Sequence, residues 1–211
     1  MTVQEKALPG LPRRYFSNFL LFSFTIVELA LLGRLTPSFT VVDWIYVAQN
    51  LLVLGIALTR RTPIAQDHSL PVSVAVAISM TYPYAQVICL DWADGNVVFP
   101  DGGLVLVGVA ACLSLASLLS IGRFFGLRPA LRGLATKGPY RIVRHPMYLA
   151  YFVSDVGYQL NEWNFATLLI VLFGWASLIY RIRAEERILS RDAEWSTYTR
   201  KVAYRLIPGI W

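Results

Sequence analysis

The stretch Leu104–Ile121, LVLVGVAACLSLASLLSI, runs for eighteen residues without a charge or a proline. At about 1.5 Å per residue such a run, as a helix, nearly matches a hydrocarbon layer about 30 Å thick. A helix is also the form that satisfies every backbone polar group inside one segment, which lipid demands. Outward from this run, comparable segments occur at Tyr15–Gly33, Val41–Leu58 and Leu70–Leu90 on one side and at Phe165–Ile182 on the other. Tyr148–Leu160 is shorter and, with the turn Asn161-Glu162-Trp163-Asn164, reads as one arm of a tight helical hairpin. The chain has 211 residues, 56% hydrophobic and 15% charged, more apolar surface than one soluble core of this size buries. The expected fold is therefore all-α: a polytopic integral membrane protein of about six transmembrane helices, ending in a cytoplasmic helical segment.

The charges divide the chain. With a cytoplasmic N-terminus, the inner segments hold Lys6, Arg13 and Arg14, then Arg60 and Arg61, then Arg123, Arg128, Arg132, Lys137, Arg141 and Arg144, then the basic residues from Arg181 to Arg205. Arg34 alone falls outside, so both termini are expected in the cytoplasm. The net charge of +6 is dispersed between apolar runs rather than gathered on a face or tail, which argues against nucleic acid as a partner. Cys89 and Cys112 lie in apolar stretches with no ligand spacing around them, so they read as small buried residues, and no metal site is expected. The first apolar run is long and lacks a small-residue cleavage site after it, so it reads as a retained span. Residues 1–122 then form a four-helix scaffold, and residues 123–211 hold the two long cytoplasmic segments and the hairpin between them.

Between the fourth and fifth spans lies KGPYRIVRHPMYL, Lys137–Leu149. Gly138-Pro139 ends any preceding helix, because proline lacks the amide donor and restricts its predecessor. Pro146 suits the first turn of a new helix and puts His145 at or beside its N-cap. Free amides, the positive end of the helix dipole, Arg141 and Arg144 would then favour an anion at this boundary. The competing reading is plain punctuation, with cations snorkelling to lipid phosphates. The second cytoplasmic segment begins RIRAEER, in which Glu185 and Glu186 project about 100° apart, so at most one is expected to face inward easily. Arg181 and Glu185 can pair at i,i+4 along an exposed helix.

Gly138-Pro139-Tyr140-Arg141, Arg144-His145-Pro146-Met147-Tyr148, Glu185-Glu186 and the closing Trp195-x-x-Tyr198, Val202, Arg205 and Pro208, in this order across a hairpin, resemble the isoprenylcysteine carboxyl methyltransferases. The related phospholipid N-methyltransferases share much of the pattern, and the resemblance covers about residues 121–211. It implies an S-adenosylmethionine-dependent methyltransferase whose cofactor lies at the cytoplasmic membrane surface, among Lys137, Gly138, Pro139, Tyr140, His145, Pro146, Tyr148, Ala150, Glu185 and Glu186. Two departures stand out: Ala150 replaces a frequent glycine, and Arg191-Asp192 stand where a Phe-Gly pair is common.

Methyl transfer from a sulfonium is an in-line displacement that needs no metal, so holding the two reactants in contact can supply much of the catalysis. A carboxylate acceptor would be oriented by Arg144, Arg205 or Arg123. An amine acceptor would need a base, Glu186 or His145. The catalytic candidates are thus Arg144, Glu186 and Arg205. Absence of a large soluble domain implies a lipophilic acceptor reaching the site from the bilayer, with membrane lipids as neighbours. Glu28, Gln49, Asn50 and Asp155 are costly in hydrocarbon and are expected to hydrogen-bond between helices. Asp155 could also line the lipid access route. Pro71 and Pro83 are expected to bend the third span, His68 to be solvated, and Trp44, Tyr82, Tyr84 and Trp92 to be interfacial anchors.

Overall fold

The computed structural model describes residues 40–92, 96 and 98–211, together with 22–23, 25–27 and 30. The expected span Tyr15–Gly33 and Glu28 lie largely or wholly outside the described residues. The helices are α1 (Val41–Thr59), α2 (Leu70–Trp92), α3 (Pro100–Ile121), α4 (Pro146–Asn161), α5 (Phe165–Leu189) and α6 (Trp195–Lys201). Two short 3-10 turns, Gly122–Phe124 and Gly138–Arg141, and one antiparallel pair, β1 (Ala65–Gln66) with β2 (Ala130–Leu131), complete the elements among the described residues from 40 onward. The all-α expectation is thus amended by a two-stranded sheet, which ties the α1–α2 connection to the α3–α4 connection.

Local chemistry explains the boundaries. Thr40 and Asp43 form a reciprocal capping box at the start of α1. Proline at the first position begins both α3 and α4, and the Asn164 Oδ1 accepts the Ala166 amide 2.8 Å away at the start of α5. Gly122, at φ 47°, terminates α3 in a conformation that side chains disfavour.

Three described helices, Val41–Thr59, Pro100–Phe124 and Phe165–Leu189, are long and apolar enough to cross a membrane. α2 has 23 residues but carries Ser73, Ser79, Thr81 and Gln86, and α4 has 16 residues. Leu51, Leu58, Leu119 and Phe173 are exposed, as they would be on a surface solvated by lipid. Cys112 is exposed on α3 as well, contrary to the expected burial: a small residue facing outward meets no unfavourable solvent in hydrocarbon.

The hairpin turn falls where expected, yet its arms pack mainly elsewhere: α4 against α3 and α5 against α2. Small residues set both contacts. A Cβ on Gly103 would stand 2.6 Å from the Gly157 carbonyl oxygen, and one on Gly174 would stand 2.5 Å from the Tyr82 ring. Tyr82 is therefore a core residue and no interfacial anchor. It is 5% exposed, and its hydroxyl donates to Asp155 at 3.0 Å while the Trp175 indole N–H donates to the same oxygen at 2.7 Å. Asp155 is thus occupied in joining α2, α4 and α5. Gln49 likewise joins α1 to α3, donating to the Ala111 carbonyl at 3.3 Å and accepting from Ser114 at 2.8 Å, while Asn50 bonds back to the Tyr46 carbonyl within α1. Trp44 and His68 are exposed. α2 continues as helix through Pro83.

Beyond α5 the chain is only briefly helical. α6 lasts seven residues, and the segment after it runs without helix, Pro208-Gly209 being incompatible with one. That irregular tail matters to the site.

Candidate functional site

The C-terminal ends of α1, α3 and α5 and the N-terminal ends of α2 and α4 meet at one end of the bundle. His145 is the N-cap of α4 and Pro146 its first residue, as the motif predicts. Two of the amides at this boundary are taken up by the tail. The Arg144 and His145 N–H groups each donate to the tail, at 2.9 Å, to the carbonyls of Tyr204 and Arg205. Leu206 follows into a buried cluster with Tyr82, Tyr148, Leu178 and Ile182, so burial of apolar surface holds the tail in place.

Both acidic residues of α5 enter this corner. Glu186 accepts from Arg144 Nε at 2.8 Å on one oxygen and from Arg205 Nε at 2.8 Å on the other. His145 Nε2 lies 3.3 Å from Glu186 Oε1, and its Nδ1 lies 3.8 Å from Glu185 Oε2. Tyr148, one turn into α4, donates its hydroxyl to Glu185 Oε1. The expectation that only one glutamate faces inward is corrected: the imidazole enters between the carboxylates and spans their angular separation. Arg144 further donates from Nη1 to the Val202 and Ala203 carbonyls at 3.1 and 2.9 Å, fastening the tail to the start of α4.

Arg181 also differs from its expected role on an exposed helix. It is 8% exposed and 4.0 Å from Glu185, its guanidinium donating to Ser79 Oγ at 2.6 Å and to the Leu127 carbonyl at 2.7 Å. The same guanidinium lies over the Tyr148 ring, 5.4 Å from its centroid. Sequence reading missed this link between α5, α2 and the loop before β2. An arginine one turn before the glutamates, inside an apolar helix, is the signal that could have pointed to it.

The other motif residues form the adjoining wall. Gly138 adopts φ 56°, and a Cβ there would lie 2.2 Å from Ser120 Oγ, so the turn presses on the end of α3. Tyr140 is buried, and its carbonyl accepts from the Tyr198 hydroxyl at 2.8 Å, bringing α6 onto the turn. Burial, with the Glu185 charge nearby, raises the Tyr140 phenol above its ordinary range, and burial pushes Tyr198 up to about 12. Both therefore remain neutral hydrogen-bonding groups at physiological pH. Pro146 and Ala150 are buried on α4. Lys137 is exposed, and no described hydrogen bond or ion pair joins Lys137, Gly138 or Pro139 to the carboxylates. The structure thus gathers Arg144, His145, Tyr148, Glu185, Glu186 and Arg205 into one polar cluster, with Lys137–Tyr140 alongside.

A helical protein with helices long and apolar enough to cross a membrane, and a charged cluster at their ends, is the class that the fold and this cluster define. Residues 102–192 match the phospholipid methyltransferase family. The chain is also similar to protein-S-isoprenylcysteine O-methyltransferase A of Arabidopsis thaliana, with 28% identity over 139 residues covering 62% of this chain and 71% of the relative. Over these stretches the chain is similar to the phospholipid and isoprenylcysteine methyltransferases.

Proposed function

We propose that this protein transfers a methyl group from S-adenosylmethionine to a lipophilic acceptor arriving laterally from the bilayer, by carboxyl O-methylation of the isoprenylcysteine type. The observation that carries the reading is the His145 imidazole held between Glu185 and Glu186, with Arg144 and Arg205 fixed on Glu186. The residues present fit the cofactor. Glu185, at 22% side-chain exposure, is more open than Glu186 at 12%, and can receive an ammonium or ribose hydroxyls. Lys137, Gly138, Pro139, Tyr140, Pro146, Tyr148 and Ala150 would complete the wall around it.

The cofactor, when bound, supplies an electrophilic methyl group on a sulfonium; the acceptor oxygen forms the new bond to carbon as the carbon–sulfur bond breaks. The chain's contribution is placement. Arg205 commits its Nε to Glu186, lies over the Trp211 ring at 5.3 Å, and can present its remaining nitrogens to an acceptor carboxylate. Glu186 fixes both arginines and the imidazole at their positions. With two guanidinium donors on it, Glu186 makes a poor proton acceptor, so its role here is that of an electrostatic anchor.

The match of residues 102–192 to the phospholipid methyltransferase family favours a second reading, N-methylation of a phospholipid amine, in which His145 takes the proton. In both readings the protein spans the membrane six times with both termini cytoplasmic, residues 1–122 serve as scaffold, and the site in residues 123–211 faces the cytoplasm, as the distribution of Arg and Lys favours. The test is incubation of purified protein with methyl-labelled cofactor and either a farnesylated N-acetylcysteine or phosphatidylethanolamine. Label that base releases as methanol supports the ester; base-stable label on the phospholipid supports the amine. No transfer to either, by protein that still binds the cofactor's homocysteine product, would defeat both.

A further inference from the structure

At the same end of the bundle, a second polar site lies in the α1–α2 and α3–α4 connections. An open cavity of about 800 Å³ is lined by Arg60, Arg61, Arg123 and Arg132, with Thr59 and Thr62, and no carboxylate is among its described lining residues. Arg132 is 5% exposed, and its Nε is buried with no hydrogen-bond partner among the described residues. Its guanidinium rests against Gly126, where a Cβ would come within 2.6 Å of Nη1, so the backbone has been kept bare to admit it.

The surrounding elements hold the cavity open. Arg123 Nε donates to the Thr59 carbonyl at 2.6 Å, and the Arg61 amide donates to the Arg123 carbonyl at 2.9 Å. The Arg61 guanidinium lies 5.0 Å from the centroid of the Phe124 ring. The β1–β2 pair and the bond from the Ile64 amide to the Leu131 carbonyl at 2.8 Å bring Arg132 beside Arg60. Arg60 caps the C-terminal end of α1, where the helix dipole welcomes a cation. That accounts for one charge of the group. It does not account for Arg132, which comes from the loop side and has a buried donor unmet. Burial and the neighbouring Arg60 push the Arg132 guanidinium down to about 10, which leaves it protonated at neutral pH. The carboxylate that acts on it through space is Glu185, already held by Tyr148 in the neighbouring cluster.

We propose that the cavity framed by Arg60, Arg61, Arg123 and Arg132 is a binding site for a phosphate group. Guanidinium groups converging at the ends of apolar helices present forked donors to a tetrahedral anion at the depth where lipid phosphates lie. The volume has room for a phosphorylated headgroup as well as for a free phosphate. The site stands apart from the His145 cluster and does not rest on the methyl-transfer reading.

The test uses the full chain in a neutral detergent. One arm titrates inorganic phosphate and follows the thermal midpoint. The other measures, by native mass spectrometry, retention of phosphatidylglycerol against phosphatidylcholine from mixed micelles. A rise with phosphate, or preferential retention of phosphatidylglycerol, is expected for the unsubstituted protein, weakened about tenfold or more in Arg132→Gln. Because a buried substitution can disturb folding, the double variant Arg61→Gln/Arg123→Gln, at two exposed positions, provides the second measurement and is expected to show the same loss. Arg141→Gln, also exposed but outside the cavity, is expected to retain binding. A lipid response alone identifies the headgroup as the ligand, and a phosphate response alone identifies the free anion. No response in either arm, or equal loss in Arg141→Gln, overturns the site.

Discussion

Glu186 gathers Arg144, His145 and Arg205 around its two oxygens, whereas Arg60, Arg61, Arg123 and Arg132 surround a cavity whose described lining holds no carboxylate. The two clusters share one end of the bundle and opposite electrostatic conditions. In the first, the protein supplies both signs of charge, and the result fastens three pieces of chain: the start of α4, the end of α5 and the tail. In the second, like charges are kept together by backbone pairing, and Glu185, the carboxylate that acts on Arg132, is engaged in the first cluster. Internal pairing makes structure; cations gathered around an open cavity make a place for an anion.

That contrast is most strongly tested by removing its centre. Glu186→Ala leaves Arg144, with 9% side-chain exposure, and Arg205 without their shared anion, and should lower stability by about 3 kcal/mol and abolish methyl transfer. Thermal unfolding beside a labelled-methyl assay checks both; an unchanged unfolding midpoint would remove the claim that this carboxylate fastens the tail. Glu185→Gln should separate binding from folding. Its partners are Tyr148 and longer contacts to His145 and Arg181, so stability should fall by roughly 1 kcal/mol while affinity for the cofactor's homocysteine product falls about tenfold or more. Calorimetric titration decides it, and equal affinities in the two proteins would take Glu185 out of the cofactor site.

Salt should distinguish the clusters more gently. Raising ionic strength from about 0.01 to 0.15 M shortens the screening length from about 30 to about 8 Å, and phosphate binding at the open arginine cavity should weaken several-fold. Thermal stability contributed by the largely buried Glu186 pairs should change little over the same range. Parallel titrations and melts would show whether both respond alike, which would erase the distinction. The smallest effect is expected from Arg132→Gln in the absence of anions: relief of like-charge repulsion offsets lost packing, leaving stability within about 1 kcal/mol of the parent. A large loss there would show Arg132 to be a structural strut.

Much of the molecule could be read from local order. The cap at His145-Pro146, the turn at residues 161–164 and the apolar runs of α1, α3 and α5 all follow from propensities acting within a few residues. The misreadings share one cause. Tyr82 looked like an interfacial anchor because aromatic residues commonly sit there, but Gly174 opens a space on α5 for its ring and Asp155 accepts its hydroxyl. Arg181 looked like half of an exposed helical pair because Glu185 is four residues on, yet its main partners, Ser79 and Leu127, are far away along the chain. Arg60 and Arg132 read as ordinary boundary cations, since nothing in either segment announces the other.

Taken alone, the sequence determined that the chain carries helices apolar enough for lipid, where its helices begin and end near the motif, and which charged residues lie beside them. Those are consequences of composition, periodicity and backbone chemistry, all of which act over short distances along the chain. Tertiary structure alone decided that both glutamates flank one imidazole, that the tail closes over the start of α4, and that arginines from two separate connections share a cavity. The reason is geometric: charge interactions are set by distances of a few ångströms in space, and those distances arise only once glycine contacts and the packing of α2 on α5 and α3 on α4 have fixed how the helices meet.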